Sequence, residues 1–353
     1  MNGRTTLRLD SVNAVSGRFD DVIDVRAPSE FAVDHLPGSI NLPVLDDDER
    51  AQVGTIYKQV SPFDARKVGA ALVAANVARH IAGPLADRPG GWRPVVYCWR
   101  GGQRSGAMAT ILSQVGWRVA RVEGGYKSWR NLVVRRVQEQ GFPSQVLVLD
   151  GNTGSAKTAI LNRLAARGHQ VIDLEDLANH RGSLFGAMGD QPSQKMFEGR
   201  LASAMEALDL SRPVLLEAES SRIGQLSLPR AVWHGIAQAR RLTLEVPLEA
   251  RAAYSASDYA DIAHDTDRIQ AIIRKLAPLH AVDRIEAWQK LAATRDWKKL
   301  AEGLMRAHYD PRYAKHRARY ASQEAGRVSL ADLRDLDQAA AKVEDGLSQI
   351  VDS

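Results

Sequence analysis

Short apolar segments alternate with longer amphipathic segments along the N-terminal part of the chain. The segments Asp21–Val25, Val95–Cys98 and Val119–Val122 are typical of buried strands. Between them, Arg66–Ala82 and Gln103–Val115 have the apolar spacing of helices. This alternation predicts a parallel sheet covered by helices, and therefore an α/β fold.

A second series of strands follows a break in this pattern. The stretch Gln140–Ser144 contains glycine and proline and precedes the apolar strand Gln145–Asp150. Further strands are predicted at Val171–Leu174, Val214–Glu217 and Leu242–Val246. We therefore predict an N-terminal domain over residues 1–140 and a second α/β domain over residues 141–250.

The remaining residues, 251–353, are predicted to form a helical C-terminal region, because no strand pattern follows Pro247. The last predicted helix, Ser329–Val351, begins with Ser329 as its N-cap. Its apolar residues follow a heptad spacing and are Leu333, Leu336, Ala340, Val343, Leu347 and Ile350. The seam either packs on its own domain or forms a dimer contact, so the chain is expected to be a monomer or a homodimer.

Composition narrows the class and the compartment. The chain has 353 residues, 44% hydrophobic and 25% charged, as in an ordinary folded protein. It has neither an apolar run of bilayer length nor the apolar segment of a secretory signal at its start. The single cysteine, Cys98, excludes a disulfide framework within the chain. We expect a cytoplasmic protein with no membrane partner and no structural metal, whose net charge of +5 permits a polyanionic partner.

Cys98 begins a loop that lies between a predicted strand and a predicted helix. The loop residues after it are Trp99, Arg100, Gly101, Gly102, Gln103, Arg104 and Ser105. Two glycines let backbone N–H groups converge, and the arginines and the helix N-terminus favour an anion. The same features favour the thiolate, so Cys98 is predicted to be the nucleophile and residues 100–105 its anion loop. The alternative is a buried core thiol.

A second loop, after the strand Gln145–Asp150, has the pattern of a phosphate-binding loop. It consists of Gly151, Asn152, Thr153, Gly154, Ser155, Ala156, Lys157 and Thr158. In such a loop, backbone amides hold phosphate oxygens, Lys157 reaches the outer phosphates and Thr158 can hold Mg²⁺. Ala156 stands where G-x-x-x-x-G-K-[ST] has its last glycine, which is expected to reshape the pocket. The alternative is a glycine-rich turn with a surface lysine.

Polar residues follow the next two strands of the second domain. The candidates for catalysis or substrate binding are Asp173, Glu175, His180, Arg181, Ser183, Glu217, Glu219 and Arg222. Glu217 and Glu219 replace the usual Walker B aspartate, and either could serve a metal or be an ordinary carboxylate at a strand end. Taken alone, a residue such as His180 is more often structural than catalytic.

Several motifs of the N-terminal domain resemble those of rhodanese-type sulfurtransferases. The resemblance covers residues 7–135 and rests on Asp24–Arg26, His35–Pro43, the cysteine loop and Glu123–Tyr126. It implies a rhodanese-like domain whose cysteine carries sulfur or selenium. Residues 46–93 exceed what a minimal rhodanese needs and are predicted to be an insertion.

Nearly the whole chain resembles the bacterial tRNA 2-selenouridine synthase family, because Asp173–Gly186 and Glu217–Gly224 accompany both loops. The resemblance implies a transferase that replaces the sulfur of wobble 2-thiouridine with selenium from selenophosphate. It also implies an S-geranyl intermediate made from geranyl diphosphate, whose diphosphate the P-loop would hold. Whether Cys98 attacks the donor, carries selenium or positions the donor is open. No tightly bound cofactor is expected, and Mg²⁺ is a candidate.

The anticodon region of tRNA would need a cationic surface. Residues 295–319 carry eight cations against three carboxylates, with aromatic residues between them. Cations suit phosphates and aromatic rings suit unstacked bases. The candidate tRNA contacts are Lys298, Lys299, Arg306, Arg312, Lys315, Arg317 and Arg319. The alternative is a solvated helical face whose aromatic residues fill the core.

Two other function classes stay open. A rhodanese–P-loop fusion could be a kinase or an ATP-dependent tRNA sulfurtransferase, against which Ala156 and the Glu217/Glu219 strand end argue. A non-catalytic tRNA- or selenium-binding module is the second, against which Cys98 and Lys157 argue. A protein that geranylates RNA and selenates it weakly is a third reading.

Overall fold

The computed structural model describes residues 5–181, 189–218, 220–258 and 265–351. Its strands are β1 (Thr5–Leu7), β2 (Asp21–Asp24), β3 (Ser39–Asn41), β4 (Pro94–Tyr97), β5 (Ala120–Val122), β6 (Val146–Gly151), β7 (Gln170–Val171), β8 (Val214–Glu217), β9 (Arg222–Ile223), β10 (Leu226–Ser227), β11 (Arg240–Glu245) and β12 (Glu324–Ser329). Its α-helices are α1 (Pro28–Val33), α2 (Asp47–Gln59), α3 (Pro62–Ala82), α4 (Gln103–Val115), α5 (Gly125–Val134), α6 (Lys157–Ala166), α7 (Leu174–Leu177), α8 (Gln194–Glu206), α9 (Arg230–Gln238), α10 (Leu248–Asp258), α11 (Thr266–Arg274), α12 (Val282–Ala293), α13 (Trp297–Leu304), α14 (Asp310–Arg317) and α15 (Leu336–Val351).

The chain folds into two compact units. The first comprises residues 1–140 together with 192–207, and the second comprises residues 141–191 together with 208–353. The three-domain division made from the sequence stays a prediction. No helix in the described part of the chain is long and apolar enough to cross a membrane.

The first unit is built on a parallel sheet in the order β1-β5-β4-β2-β3. All four residues of β4 are buried, as expected for a parallel strand covered on both faces. The core under this sheet includes Ile23, Val96 and Met108, and Cys98 belongs to the same core. Cys98 therefore lies directly after the carboxyl end of the central strand of the sheet.

The long segment between β3 and β4 forms a helical hairpin of α2 and α3. Asp46 caps α2 through the backbone N–H of Glu49 at 2.8 Å, and Glu49 bonds back to Asp46 in a capping box. Ser61 caps α3, whose first residue is Pro62. The N-cap residue and its neighbours within three residues thus determine where each helix of the hairpin begins.

Helix α8 packs in the first unit, although it lies within the segment assigned from the sequence to the second domain. The side-chain amide of Asn13 donates to the carbonyl of Ser203 at 2.9 Å, and Arg130 forms a buried ion pair with Glu198. Gly199 faces Trp129, where an added Cβ would lie 2.8 Å from the ring. The absence of a side chain at Gly199 therefore lets α8 approach α5 closely.

The second unit is built on a parallel sheet in the order β12-β11-β6-β8-β7. The strand β6 is central and ends at Gly151, and β8 next to it ends at Glu217. Because both strands are parallel, their carboxyl ends meet at the same edge of the sheet, where ligands of open α/β sheets bind. Helices α11, α12 and α13 form a separate apolar cluster around Trp288.

The prediction that no strand follows Pro247 is wrong, because β12 pairs in parallel with β11 at the edge of the sheet. Val328 is its single buried residue, so the segment lacks the apolar pattern of the other strands. Helix α15 packs over it where Gly346 leaves room, since an added Cβ there would lie 2.8 Å from Val328. Ser329 ends this strand, so it is not the N-cap of the last helix.

The heptad seam of the last helix packs on its own unit. Helix α15 begins at Leu336, and its buried residues share a core with Leu242 and Leu244 of β11. Of the two readings left open, packing on the same domain is confirmed, and this seam is not available for a dimer contact.

One further boundary differs from the sequence expectation. The strand predicted over Val171–Leu174 covers only Gln170–Val171, and α7 begins at Leu174. Asp173 caps α7 by accepting from the backbone N–H of Asp176 at 2.9 Å, which ends the strand early.

Candidate functional site

The cysteine loop directly follows β4 and precedes α4. Cys98 is buried, and its Sγ lies 3.2 Å from the Oγ of Ser105 in the first turn of α4. Gly101 adopts a left-handed conformation with a φ of 67°. The thiol thus belongs to the core, as the alternative reading had it, and at the same time borders the positive end of a helix.

Helix α5 fixes the backbone of this loop. The N–H groups of Tyr126 and Lys127 donate to the carbonyls of Cys98 at 2.8 Å and Trp99 at 3.0 Å. At Gly125, with a φ of 59°, an added Cβ would lie 2.2 Å from the Cys98 carbonyl oxygen and 2.6 Å from the Gly101 nitrogen. Glycine is therefore required at residue 125 for the loop to close.

The two arginines of the loop differ in their surroundings. The Nη1 of Arg104 donates to Glu30 at 2.8 Å, and Arg50 contacts the same carboxylate oxygen at 3.0 Å. Burial raises the pKa of Glu30, but the hydrogen bond and the charges of the two arginines outweigh it and lower that pKa below its usual value. Arg100 is exposed. An anion at this loop would therefore meet Arg100 as an exposed cation, whereas Arg104 is held by Glu30.

The Asp24–Arg26 motif supports the cysteine loop indirectly, through contacts with the start of α5. Arg26 is buried, forms an ion pair with Asp24 at 2.6 Å and lies 4.1 Å from the ring centroid of Tyr126. The Tyr126 hydroxyl donates to Asp34 at 2.7 Å, and burial raises the pKa of Asp34. These groups hold the start of α5, the helix that fixes the cysteine loop.

The P-loop forms the equivalent turn of the second unit, between β6 and α6. Gly154 and Ala156 have left-handed φ values of 82° and 57°. The residue in the place of the last glycine thus keeps the backbone conformation that glycine favours. Lys157 Nζ donates to the carbonyl of Gly151 at 3.1 Å and lies 5.7 Å from the ring of Tyr313. The amine therefore reaches back over the loop.

Thr158 brings the two neighbouring carboxylates together. Its Oγ1 lies 2.9 Å from Oε2 of Glu217 and 3.2 Å from Oε2 of Glu175. Among the residues that the structure describes, no group of three or more His, Cys, Asp or Glu side chains could hold a metal ion. A hydroxyl and two carboxylates fit Mg²⁺ only when phosphate oxygens complete its shell, which is how Mg²⁺ is commonly bound.

A cavity of about 240 Å³ opens over the P-loop. The residues singled out from the sequence that line it are Thr153, Gly154, Ser155, Ala156, Lys157, Thr158, Glu175, Arg181 and Glu217. The same lining includes five residues that the sequence patterns did not single out, namely Ala159, Asn162, Tyr254, Ser255 and Asp258. Three of these five belong to α10, which follows β11 at the carboxyl edge of the sheet. Because ligands of open α/β sheets bind at that edge, the position of α10 after a predicted strand could have identified them.

Three other candidates are not part of the lining of this cavity. Arg222 is exposed on β9, and neither it, nor His180, nor Asp173 lines the cavity. Burial lowers the pKa of His180 and raises that of Asp173, the N-cap of α7. Ser183 and Glu219 lie outside the described residues.

Two arginines from the helical region support the P-loop backbone and side chains. Arg251 donates to the carbonyl of Thr153 at 3.0 Å and forms a two-bond ion pair with Asp310 at 2.9 and 2.8 Å. Arg317, a candidate tRNA contact, donates to Oδ1 of Asn152 at 2.6 Å. Arg317, the last residue of α14, therefore contacts the P-loop rather than standing on an open surface.

The other candidate tRNA contacts are exposed residues and are Lys298, Lys299, Arg306, Arg312, Lys315 and Arg319. Lys299 pairs with Asp296 at 2.9 Å, and Arg312 contacts His308. The aromatic residues between them point inward: Trp297 and Tyr309 pack on the helical core. The cations thus remain candidates, whereas these two aromatic residues fill the interior.

The two loops and their sheets define a rhodanese-like unit and a P-loop-type unit within one chain. Family models agree: a rhodanese-like domain matches residues 9–132, and a tRNA 2-selenouridine synthase AAA domain matches residues 144–275. The tRNA 2-selenouridine synthase of Nitrosomonas europaea is 36% identical over 279 residues, which cover 77% of this chain and 71% of that protein. The corresponding protein of Sulfurovum sp. is 35% identical, with 76% and 71% covered.

This chain belongs to the tRNA 2-selenouridine synthase family. Among solved structures, a rhodanese-related protein from Thermoplasma volcanium is similar to 36% of this chain and 91% of its own, at 20% identity. Its TM-score of 0.23 is too low to support any further argument.

Proposed function

We propose that this protein replaces the sulfur of wobble 2-thiouridine in tRNA with selenium, through an S-geranyl intermediate, in the cytoplasm. The observation that carries the proposal is the presence of a thiol loop in one unit and a phosphate cavity in the other, within a chain of this family. The chain would then bind two chemically different anions, one at the cysteine loop and one at the P-loop. Transfer RNA is proposed as the substrate because the relatives are tRNA 2-selenouridine synthases.

The first step would be geranyl transfer at the P-loop. The sulfur at C2 of the base attacks C1 of geranyl diphosphate, the C1–O bond breaks, diphosphate leaves and N3 loses its proton to water. Lys157, Arg181 and the loop amides would stabilise the negative charge that grows on the diphosphate. Mg²⁺ held by Thr158 and Glu217 would add positive charge to the same leaving group.

The lining of the cavity over the P-loop supports a diphosphate as its occupant, because the loop residues, Lys157 and Arg181 surround it. Glu217 at the end of β8, in place of a Walker B aspartate, argues against an ATP-dependent sulfurtransferase.

The second step would be selenium transfer at the cysteine loop. The selenium of selenophosphate attacks C2, the C2–S bond breaks and geranylthiolate leaves, after which water cleaves the Se–P bond to release phosphate. No atom changes its oxidation state overall. The loop N–H groups and Arg100 would hold the phosphate part of the donor, and the Cys98 thiol would position its selenium for attack. The exposed cations of the C-terminal region would contact the RNA backbone.

The test uses an anticodon stem-loop RNA that contains 2-thiouridine, with geranyl diphosphate and selenophosphate added singly and together. Nucleosides are identified by mass spectrometry for wild type, Cys98→Ser and Lys157→Ala, with the exposed Arg334→Ala as a control. We expect Lys157→Ala to lose geranyl addition and Cys98→Ser to lose selenium transfer from a pre-geranylated RNA. An RNA that binds and stays unmodified would overturn the proposal, and ATP turnover would then favour the sulfurtransferase.

A further inference from the structure

A large groove of the first unit lies between the α2–α3 hairpin and α4. Its volume is about 1,110 Å³, above the roughly 300–1,000 Å³ typical of small-molecule sites. Gly54, Gly69 and Ala70 line it from the hairpin, and Ala107 lines it from α4. Small residues on facing helices keep the groove open, and nothing in the proposed chemistry of either loop yet uses it.

The floor of the groove is apolar and lies on the core that contains the active cysteine. Val53, Ala107 and Ile111 line the groove and pack against the core cluster of Val73, Met108 and Cys98. Transfer of apolar surface from water to an apolar environment is favourable. An apolar chain of several carbons would therefore be stabilised on this floor.

The rim of the groove is cationic. Its charged lining residues are Arg50, Lys58, Arg66 and Arg104, and among the described residues that line it there is no carboxylate. Glu30, close by, offsets part of this charge because it contacts both Arg50 and Arg104. An apolar floor with a positive rim is complementary to an amphiphile that carries phosphate groups.

The groove adjoins the cysteine loop in the fold. Gln103 and Arg104 form part of its wall, and they are the first two residues of α4, which begins where the cysteine loop ends. Tyr57 also lines the groove and leaves 57% of its surface exposed, so its ring can stack on a base.

We propose that this groove binds the S-geranyl nucleotide of the RNA while selenium is transferred at Cys98. The inference rests on the proposed function and deepens it by placing the thioether chain. The floor holds the ten-carbon chain, the rim cations hold the flanking phosphates, and the reacting C2 stays at the mouth beside the cysteine loop.

The test compares RNA binding by variants that fill the groove. Gly54 is exposed and lines the groove, and an added Cβ there meets no atom within 4 Å, so Gly54→Trp is chosen to fill the groove from α2. Ala70→Trp fills it from α3 as a second variant, and Gln52→Trp places the same ring on α2 outside the groove as the control. Binding of stem-loops with 2-thiouridine or S-geranyl-2-thiouridine is measured by titration.

We expect wild type and Gln52→Trp to bind the geranylated RNA at least tenfold more tightly than the thiolated RNA. In both filled variants this preference should fall below twofold, and selenium transfer from the geranylated RNA should slow in parallel. Geranyl addition to thiolated RNA, which uses the other unit, should not change. An undiminished preference in both filled variants would overturn the groove assignment.

Two further arms separate the possible failures. If wild type prefers synthetic geranylated RNA in a groove-dependent way but makes no such RNA itself, the groove stands and the proposed geranyl step fails. Competition by free geranyl diphosphate or by anionic lipid vesicles as strong as that by the geranylated RNA would contradict an RNA-linked occupant.

Discussion

The two loops occupy the same place in their respective units and are held there by different means. Each follows a central parallel strand and precedes a helix. The cysteine loop is closed by backbone hydrogen bonds from α5, whose first residues lie 27 positions after Cys98 along the chain at Gly125. The P-loop is supported by the side chains of Arg251 and Arg317, which come from the helical region far downstream.

This difference determines what each loop tolerates. The backbone hydrogen bonds between α5 and the cysteine loop bring the two segments too close for a side chain. The cysteine loop therefore depends on glycines at residues 101 and 125. A loop supported by side chains still needs Gly154, but it accepts Ala156 in a left-handed conformation and depends on ion pairs as well. Addition of a single methyl group at residue 125 should therefore damage the first loop, and changes of charge should damage the second.

The largest effect is expected from Gly125→Ala. The new Cβ would meet two backbone atoms of the cysteine loop at 2.2 and 2.6 Å, so the loop must move. We expect selenium transfer to fall more than about 100-fold, since ~1 Å misplacement can cost that much. Unfolding free energy should fall by about 4 kcal/mol, a large value for one substitution.

Gly102→Ala serves as the control for this change, because an added Cβ at Gly102 meets no atom within 4 Å. Its unfolding free energy, measured in urea, should stay within about 1 kcal/mol of wild type. Equal destabilisation by Gly125→Ala and Gly102→Ala would show that the backbone hydrogen bonds from α5 do not hold the cysteine loop.

The next effect is expected from Asp310→Asn, which leaves the Arg251 guanidinium without its carboxylate. The Arg251 side chain is 5% exposed, and breaking such a pair costs about 3–5 kcal/mol. Because Asp310 is 27% exposed, we expect about 3 kcal/mol, measured by urea unfolding. Diphosphate binding should weaken while alkylation of Cys98 by a thiol reagent proceeds at the wild-type rate. Unchanged diphosphate affinity would contradict the role of Arg251 in the P-loop.

A pH effect should follow from His308 in the second unit. Burial, together with the charges of Arg312 and His280, lowers the pKa of His308 from its usual 6.5 to about 4. The folded state therefore binds fewer protons than the unfolded state between these values, and stability is lost as the pH falls through 6.5 towards 4. Between pH 7 and pH 5 we expect a loss of about 2 kcal/mol in urea unfolding. His308→Gln should flatten this profile, and an equally steep profile in that variant would exclude His308 as its source.

The smallest effect is expected from Ala156→Gly. Relief of the left-handed backbone is worth about 1–2 kcal/mol, and it is offset by the gain in chain entropy on unfolding and by the loss of a buried methyl group. The free energy of unfolding should change by less than about 1 kcal/mol, with geranyl addition retained. Ala156→Val, which is β-branched at the same φ of 57°, should destabilise the protein clearly. A neutral valine would show that the conformation is not strained.

Sequence patterns identified those features whose cause is local. β8 and α4 have the bounds that the sequence predicts, because an apolar strand and an amphipathic helix each carry their own signal. The edge strand β12 escaped detection because Val328 is its single buried residue, and an exposed edge needs no apolar alternation.

The site shows the same limit. Both loops can be read from their glycines, cations and flanking elements, since these act within a few residues of each other. No spacing rule connects Arg317 with Asn152, 165 residues earlier, so a residue that supports the P-loop was assigned to tRNA contact. The groove behind the cysteine loop was equally invisible, because it exists only where α2, α3 and α4 pack together.

The position of α8 has a consequence for how the chain matures during synthesis. The first unit includes residues 192–207, so it lacks one of its helices until the ribosome has passed residue 207. The P-loop strand β6, made earlier, waits for β12 and α15 at the other end of the chain before its sheet and core are complete. Domains generally fold as units when their last segment emerges. Both units of this protein therefore remain open to chaperones, and to proteases, well after their loops have been synthesised.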